Sequence, residues 1–320
     1  MIIDLPDTTI SEVSKTLVRI RDEAGAVALG RVLTLIISSV IGDEEDVITA
    51  ANQASREHPM RIIVVSTRAA ATTPRLDAEI RVGGDAGASE VIVLRAYGET
   101  GSDLRSLVTG LLLPDAPVVS WWPGECPNDV CDTPLGRLAQ RRITDSVSTI
   151  DPHRTLTHIA AGYQPGDTDF AWTRITLWRA QLAAALDQPP YDQITRVQVS
   201  GSLKSPSVSL LAAWLGLRLQ LDVEVDVDDG NASSGIHRVV LSRQSGDIRL
   251  ERTEVDIAVL AQPGQPDHEI SLPRRGLREC LAEELRRLDP DDEFGAVLLH
   301  GFGVGAAAGG HDGANDGSAG

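Results

Sequence analysis

The sequence predicts an α/β protein: two α/β domains, each a mixed sheet covered by helices, followed by a disordered C-terminal tail. Three observations predict it. β-branched strand patterns alternate with helical patterns through the first half, the second half repeats the theme, and a Gly/Pro/Asp cluster at 162–169 separates them. The expected divisions are an N-terminal domain over 1–163, a C-terminal domain over 164–300 and a Gly-rich tail over 301–320.

In the first half, Ser11 and Glu12 precede a helical pattern from Val13 to Arg21, with Val13, Leu17 and Ile20 on one face. Arg31 to Ser38 is a β-branched run. Asp43 to Glu57 is amphipathic and stops at Pro59. Arg61 to Ser66, Leu76 to Val82 and Glu90 to Arg95 read as strands, with Gly83-Gly84-Asp85 as a turn. Ser102 reads as the N-cap of a helix from Asp103 to Leu113, ended by Pro114. A strand from Ala116 to Trp121, a short helix from Leu135 to Gln140 and a strand from Arg142 to Val147 complete this half.

In the second half, Ala171 to Leu186 predicts one long helix stopped by Pro189-Pro190. Ile194 to Ser200 is a strand. Ser205 and Pro206 then open a helix over Ser207 to Leu217, with serine at N-cap and proline at N1. Leu219 to Val227 alternates apolar and polar residues, the mark of a half-exposed strand. His237 to Arg243, Asp247 to Arg252 and Val255 to Ala261 form a meander, and Gly276 to Leu288 and Asp291 to Leu299 are helices. From Gly301 the chain is rich in Gly and Ala and cannot bury enough apolar surface to order itself.

The 320 residues carry 29 Lys+Arg against 46 Asp+Glu, a net charge of −17. That balance argues against binding nucleic acid or an anionic membrane, because both are polyanions. No run approaches the about 20 apolar residues of a membrane span. The N-terminus has no basic region ahead of an apolar core, so no signal peptide is expected. Three cysteines are too few for a disulfide framework, and the expected compartment is the cytoplasm.

Several clusters invite chemical readings. Cys126 and Cys131, with His153 and His158 downstream, have the residue types of a zinc site but not its spacing, so no metal is assigned. The loop Ser200-Gly-Ser-Leu-Lys-Ser205-Pro206 joins a strand to a helix. Its Ser202, Lys204 and Ser205 are candidate phosphate ligands, although the loop is no P-loop and also reads as an ordinary N-cap. The carboxylates Asp222, Glu224, Asp226, Asp228 and Asp229 read as a solvated strand face. Arg137, Arg141 and Arg142 are a local basic cluster, with Arg137 and Arg141 expected on one helix face. They offer a docking patch for a partner, or else a set of surface ion pairs. Trp121 and Trp122 sit at a strand end, where adjacent side chains point to opposite faces, so one of them can face outward as an interface anchor. No catalytic constellation and no cofactor emerge.

Four segments carry a resemblance. They are Ala54-Ser-Arg-Glu-His-Pro59 ahead of the strand at Arg61, Pro117-Val-Val-Ser-Trp-Trp-Pro123, Gln140-Arg-Arg-Ile-Thr-Asp-Ser146, and Thr168-Asp-Phe-Ala-Trp-Thr-Arg-Ile-Thr-Leu-Trp-Arg179. Together, in order and from the first residues to about His300, they resemble the OpcA family, the glucose-6-phosphate dehydrogenase assembly proteins of actinobacteria and cyanobacteria. The resemblance implies a non-catalytic partner that binds glucose-6-phosphate dehydrogenase, favours its active oligomer and feeds the oxidative pentose phosphate pathway. It assigns no contact residues, and the Cys126/Cys131 spacing does not establish the thiol switch of cyanobacterial members. The competing readings are a sugar-phosphate-binding enzyme using Lys204 and a thiol- or metal-responsive regulator.

Overall fold

The computed structural model of the protein describes residues 1–24, 32–68, 70–71, 73–83, 90–202, 204–227 and 235–302. The turn expected at Gly84-Asp85, the carboxylates Asp228 and Asp229, and the tail beyond 302 lie outside these residues.

The first sheet has eight strands. They are β1 (Ile2–Leu5), β2 (Leu33–Val40), β3 (Met60–Arg68), β4 (Arg75–Val82), β5 (Glu90–Tyr97), β6 (Val118–Trp122), β7 (Arg141–Thr144) and β8 (Asp167–Asp169). Their spatial order is β1-β4-β5-β3-β2-β6-β7-β8. From β5 to β8 all neighbours are parallel; β4 and β1 add an antiparallel edge. After β1 on the far edge, the parallel part starts in the middle at β2, winds out through β3 to β5, returns to β6 and winds out to β8. This is the doubly wound order of dinucleotide-binding sheets, with its switch point between β2 and β6.

Both faces of this sheet are covered, which is why its strands are continuous apolar runs. Leu35, Ile36 and Ile37 are all fully buried. Leu35 and Ile37 face one core with α2 (Glu44–Ala54) and α8 (Leu277–Arg286). Ile36 faces the other, with α1 (Ile10–Ala24) and α3 (Leu104–Thr109). Helix α1 starts from a capping box: Thr9 N donates to Glu12 Oε2 at 3.1 Å, and Glu12 N donates to Thr9 Oγ1 at 3.3 Å. Its cap is therefore Thr9 rather than Ser11. Likewise Asp103, not Ser102, caps α3, accepting from Ser106 N at 3.1 Å.

The second sheet runs β10-β9-β11-β12-β13-β14. Its strands are β9 (Ile194–Gly201), β10 (Val223–Val227), β11 (Ile236–Arg243), β12 (Ile248–Arg252), β13 (Ile257–Ala261) and β14 (His268–Ser271). Only β10 and β9 pair in parallel; the rest is an antiparallel meander. Strand β10 begins later than the alternation suggested. Leu219 closes α7 (Pro206–Leu219), and Gln220 in the left-handed region at φ 56° turns the chain before the strand. The inward residues Val197, Val199, Val239, Leu241 and Leu250 pack in one core with α4 (Pro152–Gly162), α6 (Thr176–Leu186), α7 and α9 (Asp292–Gly301). The opposite face carries Arg196, Gln198, Arg238, Val240 and Arg249 around an open basin.

Three expectations need correcting. The helix expected over 171–186 is two: α5 (Phe170–Thr173) and α6. Ile175 N bonds Trp172 O at 3.2 Å in a tight three-residue step, while Arg174 is tethered to Asp145. Arg137 and Arg141 do not share a helix. Arg137 lies in a 3₁₀ turn over Gly136–Leu138, and Arg141 opens β7. The cluster expected to link two domains contains β8, whose Asp167, Thr168 and Asp169 are buried. Elements also cross the 163/164 division both ways. Helix α4 packs into the second core, while β8 and α8 complete the first. Among the described residues, no helix is long and apolar enough to cross a membrane.

Candidate functional site

A sheet of this order presents a ligand crevice beyond the carboxyl ends of β2 and β6. A dinucleotide placed there needs a glycine-rich turn and the open N-terminus of the following helix for its pyrophosphate. Here β2 leads through Ile41-Gly42-Asp43 into α2, whose first turn holds Glu44, Glu45 and Asp46. The buried Glu44 carboxylate folds back to accept Gly42 N at 2.9 Å and Arg95 Nε at 3.2 Å. The protein thus supplies its own anion where the phosphate would sit, flanked by Glu45, which pairs with Arg81, and by Asp46. These residues do not fit a dinucleotide. NADP⁺ added at millimolar concentration is expected to leave the melting temperature unchanged in a thermal-shift assay; a saturable rise would show that the turn opens.

At the β6–β8 end lies a buried polar hub. Asp169 caps α5 and receives four donors: Thr144 Oγ1 at 2.7 Å, Ser146 N at 2.9 Å, Ser146 Oγ at 2.8 Å and Ala171 N at 2.8 Å. Burial, reinforced by the charge of Asp145, still pushes its carboxyl up to about 6. Asp145 itself takes a bidentate pair from Arg174 at 2.6 and 2.9 Å. Arg142 pairs with Asp167 of β8 and also donates to Ala139 O and Pro165 O. Arg141 pairs with Glu284 of α8 and donates to Asp289 O at 2.8 Å. Glu284 also accepts from Thr173 Oγ1. These bonds join β7, β8, α5 and α8 into one unit.

The residues expected at a partner surface fall as follows. Trp121 and Trp122 do point to opposite faces, but both faces are covered, so Trp121 lies in the α2/α8 core and Trp122 in the α1/α3 core. Arg141 and Arg142 are buried in the hub, so the expected surface patch does not form. Arg137 is exposed, with its side chain 62% accessible and a 3.3 Å contact to Asp132.

The phosphate candidates come together. Ser202, Lys204 and Ser205 all line one cleft between the two sheets, with Arg174, Arg252, Arg274 and Arg275. Sequence reasoning did not bring these arginines to the loop because they come from three separate segments: the α5–α6 step, the end of β12 and the stretch before α8. Cys126 and His158 line another small cleft, and burial pushes the Cys126 thiol up to about 12, away from the reactive thiolate. Among the described residues, no three His, Cys, Asp or Glu side chains converge as metal ligands.

Fold and site together define an α/β protein with two sheets, the first doubly wound and mostly parallel, whose β2–α2 turn is closed by its own carboxylate. Residues 51–161 match the family model described as the glucose-6-phosphate dehydrogenase subunit N-terminal domain, and residues 165–298 the model described as its C-terminal domain. The chain belongs to the OpcA family of glucose-6-phosphate dehydrogenase assembly proteins. No curated protein sequence matches the chain significantly. Among solved structures it is similar to an oxidoreductase from Sinorhizobium meliloti, at 11% identity and a TM-score of 0.45, over 83% of this chain and 94% of that one.

Proposed function

We propose that the protein is a non-catalytic assembly factor and allosteric activator. It binds glucose-6-phosphate dehydrogenase in the cytoplasm, favours its active oligomer and so supports NADPH supply through the oxidative pentose phosphate pathway. Both family descriptions name that enzyme. The observation that carries the non-catalytic part is the Glu44 carboxylate on Gly42 N, which stands where a cofactor phosphate would bind. An activator of this kind works by differential affinity: it must bind the active assembly better than the inactive one. A tenfold preference needs only about 1.4 kcal/mol, within reach of a few contacts. Of the five residues expected at the interface, Arg137 is the one whose side chain is well exposed to a partner. Trp121, Trp122, Arg141 and Arg142 are buried and offer a partner no direct contact.

The decisive experiment assays glucose-6-phosphate dehydrogenase from the same organism with and without the protein, alongside size-exclusion light scattering. The expected result is a severalfold rise in rate together with co-elution in a larger assembly. An unchanged rate and separate elution would remove this reading.

A further inference from the structure

The cleft has a volume of about 450 Å³, inside the about 300–1,000 Å³ range of small-molecule sites. Five cations line it: Arg174, Lys204, Arg252, Arg274 and Arg275. Among the described residues, no Asp or Glu lines it. In a chain of net charge −17 this is a local inversion of sign.

Two of the five cations are already balanced. Arg174 is held by Asp145, and Arg275 pairs with Glu283. Arg252 and Lys204 are served differently. Arg252 donates Nη1 to two carbonyls, Val255 O and Leu272 O, and its buried Nε has no hydrogen-bond partner among the described residues. Burial and the neighbouring charge of Arg274 disfavour its cationic form, Asp256 offsets part of this, and an anion in the cleft would relieve the effect of Arg274. Lys204 makes no ion pair among the described residues.

Ser205 supplies an independent sign. It is only 8% exposed and stands at the head of α7, yet its hydroxyl makes no capping bond. A buried serine at an N-cap ordinarily satisfies a helix N–H. Here Ser205 lines the cleft at the head of a 14-residue helix whose first residue, Pro206, has no N–H and whose Val208 N already donates to Ser205 O at 3.0 Å, so what this end offers an anion is chiefly the helix dipole. Ile175, Trp178 and Ile236 form an apolar wall against which a carbon skeleton can lie.

We propose that this cleft binds a small phosphorylated metabolite of sugar-phosphate size, with the phosphate among Lys204, Ser205 and the N-terminus of α7 and the carbon skeleton against Trp178. The chain's net charge of −17 disfavours a polyanion, whereas a single phosphate ester matches the size of the cleft and its lining of Lys and Arg. The site stands apart from the dehydrogenase reading, and it is tested with no dehydrogenase present.

The chain has only two lysines, Lys15 and Lys204, so an amine-acylating reagent read by mass spectrometry carries its own control. Glucose 6-phosphate at millimolar concentration is expected to slow labelling of Lys204 severalfold and to leave Lys15 unchanged, while glucose protects neither. By calorimetry, Lys204→Ala should weaken the ester about tenfold, the size of one lost charge-assisted hydrogen bond, and Lys15→Ala should not. Equal labelling of both lysines with and without the ester, or wild-type affinity in Lys204→Ala, overturns the site. Inorganic phosphate protecting as well as the ester overturns the sugar-phosphate assignment. Protection by added dehydrogenase but not by the ester assigns the cleft to a protein partner and overturns the proposal.

Discussion

Replacing Arg141 with methionine is expected to lower stability by about 3–5 kcal/mol, read as a fall in the urea midpoint at constant slope. Arg141 and Glu284 are both buried, with side chains 5% and 6% accessible, and they join β7 to α8 across 143 residues of sequence. Methionine preserves much of the apolar stem but leaves Glu284 as a buried carboxylate held only by the hydroxyl of Thr173. It also frees Asp289 O from its donor at 2.8 Å. The cost comes mainly from the stranded charge rather than from the lost attraction. The double variant Arg141→Met with Glu284→Leu is therefore expected to recover much of the loss, because no unpaired ion then remains. A single-variant loss below about 1 kcal/mol, the range of exposed pairs, would show that α8 is not stitched to β7 in solution.

Asp169→Asn is expected to change the dependence of stability on pH. The Asp169 carboxyl titrates at about 6 in the folded protein, against an ordinary value of 3.8. Between those values the folded chain holds a proton that the unfolded chain has released. Stability from this group therefore rises as pH falls from about 6 towards about 4, and it is lowest above about 6. Two pKa units correspond to about 3 kcal/mol between the ends of that window. Asparagine does not titrate, so the variant's profile should lose this slope. At neutral pH the variant still pays for replacing one acceptor oxygen with an amide that faces donors. Thr144 and Ser146 can rotate their hydroxyls, but a backbone N–H cannot turn, and one unpaired buried N–H costs about 1–3 kcal/mol. The expected result is a destabilised variant whose deficit is larger at pH 5 than at pH 7.5, measured by denaturation at both. A deficit independent of pH would mean that Asp169 stays ionised across the window.

Much of the first sheet is legible in the sequence because burial on both faces writes itself as unbroken apolar runs. Leu33–Val40, Met60–Arg68 and Glu90–Tyr97 are of this kind. Strand β8 leaves no such mark. Its three residues, Asp167, Thr168 and Asp169, look like a surface turn, and what buries them is Arg142 and Thr144 about 25 residues earlier. The same holds for Arg141 and Arg142, whose charges suggest solvent until Glu284 and Asp167 are seen to meet them. The closed nucleotide turn was available to reading: a lone Gly42 followed by Asp43, Glu44, Glu45 and Asp46, between a β-branched run and an amphipathic stretch, already opposes a phosphate.

By itself the sequence determines the class of the fold, most of its strands and helices, the acidic surface and the family, because propensity, periodicity and motif order are local properties. It also raises Ser202, Lys204 and Ser205 as candidate phosphate ligands, in a loop that reads as well as an ordinary N-cap. Only the tertiary structure decides which charges are surface and which are core. It puts Trp121, Trp122, Arg141 and Arg142 inside, and it gathers Arg174, Arg252, Arg274 and Arg275 around Lys204. The physical reason is that a charge is tolerated in the interior, or concentrated in a cleft, according to partners that the chain brings from far away. Desolvation and Coulomb energy depend on distance in space, which spacing along the sequence does not encode.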